Sequence, residues 1–138
     1  KTAVIERALN LHKPIPDDGF DILRKIGGYE IAGIAGAVLA AASRQVPVVL
    51  DGVISTAAGL IAYLLNPKVG DYLFAGHKSV EIGQKKALEF MGLKPIVDLG
   101  MRLGEGTGAA IAMNIIDSAC RIMRDMASFE DAGVTNKE

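Results

Sequence analysis

The segment Pro95–Met113, PIVDLGMRLGEGTGAAIAM, constrains the fold more than any other part of the chain. A short apolar run is followed by a loop with glycines at alternate positions, Gly104, Gly106 and Gly108. A helix rich in small residues is then predicted to begin near Thr107. A strand that leads through a glycine loop into a helix presents backbone N–H groups and the positive end of the helix dipole. The segment therefore predicts a site for an anion such as phosphate.

One acidic residue, Glu105, lies between the first two of these glycines. A carboxylate works against anion binding, so its presence in this loop needs another reason. One interpretation is a general base held beside a bound phosphorylated substrate, within hydrogen-bond distance of the proton that it accepts. The other is a solvated acid that complements the dipole of the following helix. Spacing alone favours neither.

Length and composition indicate one globular domain with its own core. The chain has 138 residues, of which 50% are hydrophobic and 22% are charged. Its net charge of -1 gives no reason to expect a nucleic acid or a membrane surface as a partner. The longest uncharged run, Gly52–Pro67, is shorter than the roughly 20 apolar residues that a membrane-spanning helix needs.

The cysteine and histidine content bears on compartment and cofactors. The single cysteine, Cys120, excludes a disulfide within the chain and fits a reducing compartment, so a cytoplasmic location is predicted. Because Cys120 lies within a helical pattern, we predict a buried structural thiol. Two histidines without a cysteine pair give no pattern for a metal site, and no cofactor is predicted.

Apolar residues at helical spacing alternate along the chain with short β-favouring runs. Helices are predicted at residues 1–12, 20–26, 29–43, 53–65, 79–91 and 106–126, and strands at 46–50, 72–75 and 96–99. This alternation predicts parallel βαβ units with right-handed crossovers. The predicted fold class is α/β, a three-layer, parallel-sheet, Rossmann-like domain with additional helices. The chain begins inside a helical pattern and without methionine, so we expect residues 1–138 to be part of a longer chain.

Polar or glycine residues follow all three predicted strands, where ligands of open parallel sheets bind. Asp51 follows the first strand. It suits an acceptor for a ribose hydroxyl, or an Asx-turn or N-cap for the helix at 53–65. Ser79 follows the second strand and suits a helix N-cap, a substrate contact, or both. Arg102 follows the third and suits either a phosphate contact or a pair with Asp98.

Three longer strings resemble a known family: VVLDGVISTAAGLIA, DYLFAGHKSVEIGQ and PIVDLGMRLGEGTGAAIAM. They are similar to the carboxy-terminal part of the nicotinate-nucleotide–dimethylbenzimidazole phosphoribosyltransferases. The opening KTAVIERALNLH and the closing MRDMASFEDAGV also look like this family, so the resemblance covers essentially the whole chain. Members of the family are more than twice as long, which implies that an amino-terminal part of the site is not in this sequence.

The resemblance implies an activity and its partners. The family transfers phosphoribose from nicotinate mononucleotide to 5,6-dimethylbenzimidazole, giving α-ribazole phosphate and nicotinate, during assembly of the cobalamin lower ligand. It implies a homodimer, with helices such as 29–43 or 106–126 as candidate contacts, and no metal or redox cofactor. It also implies that the terminal helices contribute to a small helical subdomain, and that the site needs the amino-terminal part.

The resemblance also implies roles for particular residues. Glu105, in the family's G-E-G-T/S-G motif, corresponds to the catalytic base. The substrate-binding positions implied are Asp51, Ser79, Arg102, Leu103, Gly104, Gly106 and, near the phosphate, Lys1. Lys78 stands where the family usually has arginine, which keeps a positive charge but loses the planar fork of a guanidinium.

Two other functions fit the same residues. A nucleotide-binding or regulatory module of this fold would keep the glycine loop without performing chemistry. In a purely structural interpretation, the glycines only let helices approach the sheet closely. The upstream gene sequence is expected to separate these hypotheses: a continuation in the same reading frame favours the enzyme, and a start codon just before Lys1 favours a module.

Overall fold

The computed structural model describes residues 2–134 and consists of helices around a three-stranded sheet. The helices are α1 (Thr2–His12), α2 (Gly19–Ile26), α3 (Tyr29–Ser43), α4 (Val53–Leu65), α5 (Ile82–Met91) and α6 (Thr107–Asp125), with a 3₁₀ helix at Pro67–Tyr72. The strands are β1 (Val48–Leu50), β2 (Leu73–His77) and β3 (Pro95–Val97). No helix among the described residues is long and apolar enough to cross a bilayer.

The sheet is parallel throughout, in the order β1-β2-β3. Leu50 pairs with Ala75, and His77 pairs with Val97. The predicted parallel α/β fold is therefore confirmed. All three strands point the same way, so the loops that follow them lie at one edge of the sheet.

Helices cover the two faces of the sheet. On one face, Leu73 and Ala75 of β2 join a core with buried residues of α3, α4 and α5. On the other face, α6 crosses all three strands. Gly76 allows this close crossing, because a Cβ there would lie 2.9 Å from the Leu50 carbonyl oxygen and 3.0 Å from Cα of Ala109. Backbone-to-backbone packing thus fixes α6 above the strand ends.

Several element boundaries differ from the predictions. β1 begins at Val48, not at 46, and β2 begins at Leu73 because Tyr72 ends the 3₁₀ helix. The predicted cap of α5 was wrong: the N-cap is Glu81, and the helix begins at Ile82. The chain before it is still extended, since Lys78 N–H donates to the carbonyl of Val97. Ser79 instead accepts the Glu81 N–H through its hydroxyl oxygen, at 3.2 Å.

The prediction of a buried Cys120 was also wrong, because its thiol is exposed. Cys120 lies on a face of α6 that other described residues leave open. There it shares an apolar groove with Phe74, Ile115 and Met123. Helical spacing placed the residue in a helix correctly, but it does not tell which neighbours cover each face.

A network of charges holds α2 to the segment before it. The Asp18 carboxylate caps α2 by accepting the Asp21 N–H at 3.0 Å. The buried carboxylate of Asp21 accepts the Ile15 N–H at 2.9 Å and pairs with Arg24 at 2.8 Å and Lys25 at 2.7 Å. These contacts lower the pKa of Asp21 from 3.8 to about 2, with the hydrogen bond from Lys25 as the largest cause.

This lowered pKa predicts how stability depends on acid pH. A carboxyl group with a depressed folded-state pKa stabilises the fold above its unfolded pKa, and the contribution is lost as the pH falls through the folded value. We expect urea titrations of the protein to show a free energy of unfolding that declines from about pH 4 to about pH 2. Asp21→Asn is expected to be less stable at pH 7 and to show a shallower decline. An equal slope in both proteins would contradict this assignment.

Candidate active site

A cavity of about 640 Å³ lies at the carboxyl ends of the strands. Its wall includes the ends of β1 and β2, the start of α4 and the loop between β3 and α6. Six residues singled out in the sequence line it: Asp51, Ser79, Arg102, Gly104, Glu105 and Gly106. The parallel topology thus brings together residues more than 50 positions apart.

The loop before α6 has an unusual backbone at Glu105. Gly104, Glu105 and Gly106 have φ values of 74°, 56° and 80°. Glycine adopts this left-handed region freely, but in other L-residues it costs about 1–2 kcal/mol. Glu105 is exposed and lines the cavity. The position of Glu105 therefore depends on contacts between its loop and other parts of the chain.

Asp51 provides those contacts. One carboxylate oxygen accepts the Gly106 N–H at 3.1 Å, and the other accepts the Ala109 N–H at 3.0 Å. The carboxylate thus caps the N-terminus of α6, where it also complements the helix dipole. The interpretation of Asp51 as a cap for α4 was wrong, because the N-cap of α4 is Gly52 and makes no side-chain bond.

This capping changes the expected anion site. The sequence suggested that amides at the start of α6 are available to phosphate. In the structure, the N–H groups of Gly106 and Ala109 already donate to Asp51, and that of Thr107 donates to the carbonyl of Gly104. These three amides are therefore not free to bind a phosphate, whereas the positively charged Arg102 lies on the wall of the cavity.

His77 lies directly beneath this cap. Its side chain is 3% exposed, and Nδ1 lies 3.4 Å from the Asp51 carboxylate. Nδ1 is buried and has no hydrogen-bond partner among residues 2–134. A Cβ at position 108 would overlap Nδ1, so Gly108 lets α6 pack closely against His77.

The structure also shows how the charged residues near the third strand pair. Lys78 pairs with Asp98 at 2.7 Å, and this hydrogen bond lowers the pKa of Asp98 below its ordinary value. Of the two interpretations of Arg102, the pair with Asp98 is thereby disfavoured. Both members of the Lys78–Asp98 pair are more than half exposed, so the pair adds little to stability.

Comparison with known proteins decides the family. A family model described as Phosphoribosyltransferase matches residues 1–134. The chain belongs to the phosphoribosyltransferase family. It is 55% identical over 138 residues to the nicotinate-nucleotide–dimethylbenzimidazole phosphoribosyltransferase of Chloroflexus aggregans, covering 100% of this chain and 39% of the relative. It is also 55% identical over 136 residues to that of a Geobacter species, covering 99% and 39%.

A solved structure agrees with this assignment. The crystal structure of the phosphoribosyltransferase of the same name from Thermus thermophilus matches with a TM-score of 0.87 and 41% identity. The match covers 96% of this chain and 40% of that one. The chain thus spans about two fifths of the length of the phosphoribosyltransferases that it matches, and the resemblance drawn from its motifs is confirmed.

Two implied binding positions lie apart from the cavity or outside the described residues. The Leu103 side chain is 67% exposed, and it is not among the residues that line the cavity. Lys1 lies outside residues 2–134. Within those residues, no group of three or more His, Cys, Asp or Glu is arranged to hold a metal.

Sequence reasoning missed Gln84, a buried side chain beside the cavity that makes three hydrogen bonds. Gln84 is 1% exposed. Its amide nitrogen donates to the carbonyl oxygens of Asp51 at 2.9 Å and His77 at 3.1 Å, and its amide oxygen accepts the Ser79 N–H at 2.7 Å. The sequence pattern could have indicated this residue. Gln84 shares a helix face with the apolar Leu88 and Met91, and a polar residue on an apolar face indicates a buried side chain with hydrogen-bond partners.

Proposed function

We propose that the protein to which this chain belongs transfers phosphoribose from nicotinate mononucleotide to 5,6-dimethylbenzimidazole. The products are α-ribazole phosphate and nicotinate, and the reaction builds the lower ligand of cobalamin. The observation that carries this proposal is the position of Glu105, on the wall of one cavity with Arg102 and Ser79, in a chain of the phosphoribosyltransferase family. The names of the relatives supply the substrates.

The reaction requires one displacement and one proton transfer. A ring nitrogen of the azole forms a bond to the anomeric carbon of the ribose. The bond from that carbon to nicotinate breaks, its electron pair leaves with the nicotinate nitrogen, and the azole N–H proton passes to Glu105. The carbon gains oxocarbenium character as the bond breaks, as in glycoside chemistry. Holding the two reactants in line supplies several kcal/mol of the barrier reduction, in order of magnitude.

The remaining residues bind and orient the substrates in this proposal. Arg102 faces the phosphate, and Ser79 offers a hydroxyl. Asp51 uses its carboxylate to hold the loop, and each oxygen retains acceptor capacity for a ribose hydroxyl. Gly104 and Gly106 let the loop backbone turn around Glu105. Leu103 and Lys1 are the other two proposed substrate-binding positions.

The intact protein is proposed to be a cytoplasmic homodimer that includes sequence upstream of this chain. The relatives are longer, and the exposed Glu105 needs a cover that excludes water when substrate binds. Exposed apolar side chains on α3 and α6, such as Tyr29, Ile122 and Met123, offer a contact between two copies. Light scattering of the intact protein is expected to give twice the monomer mass.

The activity test uses the full-length protein with nicotinate mononucleotide and 5,6-dimethylbenzimidazole. We expect nicotinate and α-ribazole phosphate to appear in equal amounts, as followed by liquid chromatography. Nicotinate release should stop when the azole is omitted. Tight binding of nicotinate mononucleotide without any product would instead identify a nucleotide-binding module and refute the transferase proposal.

A further inference from the structure

Gln84 connects three pieces of backbone that converge at the cavity. It lies in the first turn of α5, and its three hydrogen bonds reach the end of β1, the end of β2 and the extended segment that follows β2. All three bonds link backbone to a side chain that is almost fully buried. Gln84 therefore bridges the ends of β1 and β2 beyond Leu50 and Ala75, the last residues that pair directly.

The effect of this link extends to the loop that bears Glu105. Gln84 holds the carbonyl of Asp51, while the Asp51 N–H donates to the Ser55 hydroxyl. The carboxylate of Asp51 holds the N–H groups of Gly106 and Ala109 on either side of the start of α6. Glu105 precedes Gly106 directly and has a left-handed backbone that these contacts must maintain. A shift of Asp51 is thus passed on to Glu105 through hydrogen bonds.

We propose that Gln84 is a positioning residue of this active site, which holds Asp51 and, through it, places Glu105 for proton transfer. The proposal rests on the transferase function proposed above. Gln84 touches no substrate in this scheme, and its whole effect passes through backbone geometry.

The chemistry of a primary amide explains why glutamine suits this position. Its nitrogen supplies two donors and its oxygen supplies acceptors, which matches two carbonyl oxygens and one N–H group. An ionised glutamate of the same size accepts only, so it would face two carbonyl oxygens without a donor. Protonation returns one donor. Gln84→Glu therefore keeps the volume of the side chain and makes the link sensitive to pH.

The first test measures loop geometry without any reaction. Amide hydrogen exchange of Gly106 and Ala109 is followed by NMR in the full-length protein, in Gln84→Ala, and in Leu88→Ala as a matched control. Leu88 is 3% exposed on the same helix and belongs to the apolar core. We expect faster exchange at these two amides in Gln84→Ala but not in Leu88→Ala. Equal protection in both variants would overturn the proposal.

The second test measures turnover. We expect Gln84→Glu to lower kcat by roughly 100-fold at neutral pH, the order of loss that follows a misplacement of about 1 Å, with little change in KM. The ratio of variant to wild-type kcat should recover as the pH falls and the introduced carboxyl gains its proton. A ratio that does not depend on pH would contradict the assigned hydrogen bonds.

The two tests separate failure of this inference from failure of the transferase proposal. If the wild-type protein transfers no phosphoribose, the proposed function fails, while hydrogen exchange still decides whether Gln84 holds the loop. If the wild type is active and both Gln84 variants keep its kcat, only the positioning role is refuted. If Gln84→Ala does not fold, the protection of the Gly106 and Ala109 amides is measured in Gln84→Glu instead. Comparing protection at pH values above and below the titration of the introduced carboxyl group then decides whether Gln84 holds the loop.

Discussion

Replacement of Glu105 by glutamine is expected to lower kcat of the full-length protein by about 10²–10⁴-fold, the usual contribution of a general base. Glutamine keeps the size and hydrogen-bonding shape of the side chain, but it does not accept the azole proton. Binding of nicotinate mononucleotide should remain close to that of the wild type. Steady-state kinetics with both substrates, and titration with nicotinate mononucleotide alone, measure the two quantities.

The alternative role for Glu105 gives a different result. An acid that only complements the dipole of α6 would cost about 0.3–1 kcal/mol of stability when neutralised and leave turnover intact. Glu30 is a suitable control, because it is an exposed acid in the first turn of α3 and does not line the cavity. Glu30→Gln should lower the melting temperature slightly without affecting kcat. Near-normal kcat in Glu105→Gln would end its assignment as the base.

The second large effect is expected at Gly108. Alanine in a helix interior normally stabilises by about 0.8–1 kcal/mol relative to glycine. Gly108 lies in the first turn of α6, and its φ is outside the left-handed region that requires glycine. Here the added Cβ overlaps the buried ring of His77, next to the Asp51 cap. We expect Gly108→Ala to lower the free energy of unfolding by about 1–3 kcal/mol, the usual cost of overpacking.

Urea denaturation of Gly108→Ala beside Gly36→Ala tests this steric explanation. Gly36 lies within α3, and a Cβ there meets nothing within 4 Å. The same substitution should therefore stabilise the protein by up to about 1 kcal/mol. Opposite signs for the two variants are expected. A stabilised Gly108→Ala would show that α6 does not pack on His77 as closely as the structure indicates.

The sequence alone determined the fold class and predicted that the candidate site lies at the carboxyl ends of the strands. Alternating helical and β-favouring runs predicted three parallel strands, and the polar residues after each strand predicted one shared edge. Both statements depend on periodicity, which is local in the chain. The motif around Glu105 also identified the family, because a long string with fixed glycine positions is specific without any knowledge of contacts.

The tertiary structure decided which groups meet. Asp51 caps α6 and not the adjacent α4, because a hydrogen bond across 58 residues leaves no trace in local spacing. Cys120 is exposed, because a helical pattern does not say which face another element covers. Gln84 bridges the strand ends, since its partners are backbone atoms that every residue possesses. Sequence periodicity fixes the elements and their order, whereas the partners of each polar side chain depend on long-range packing.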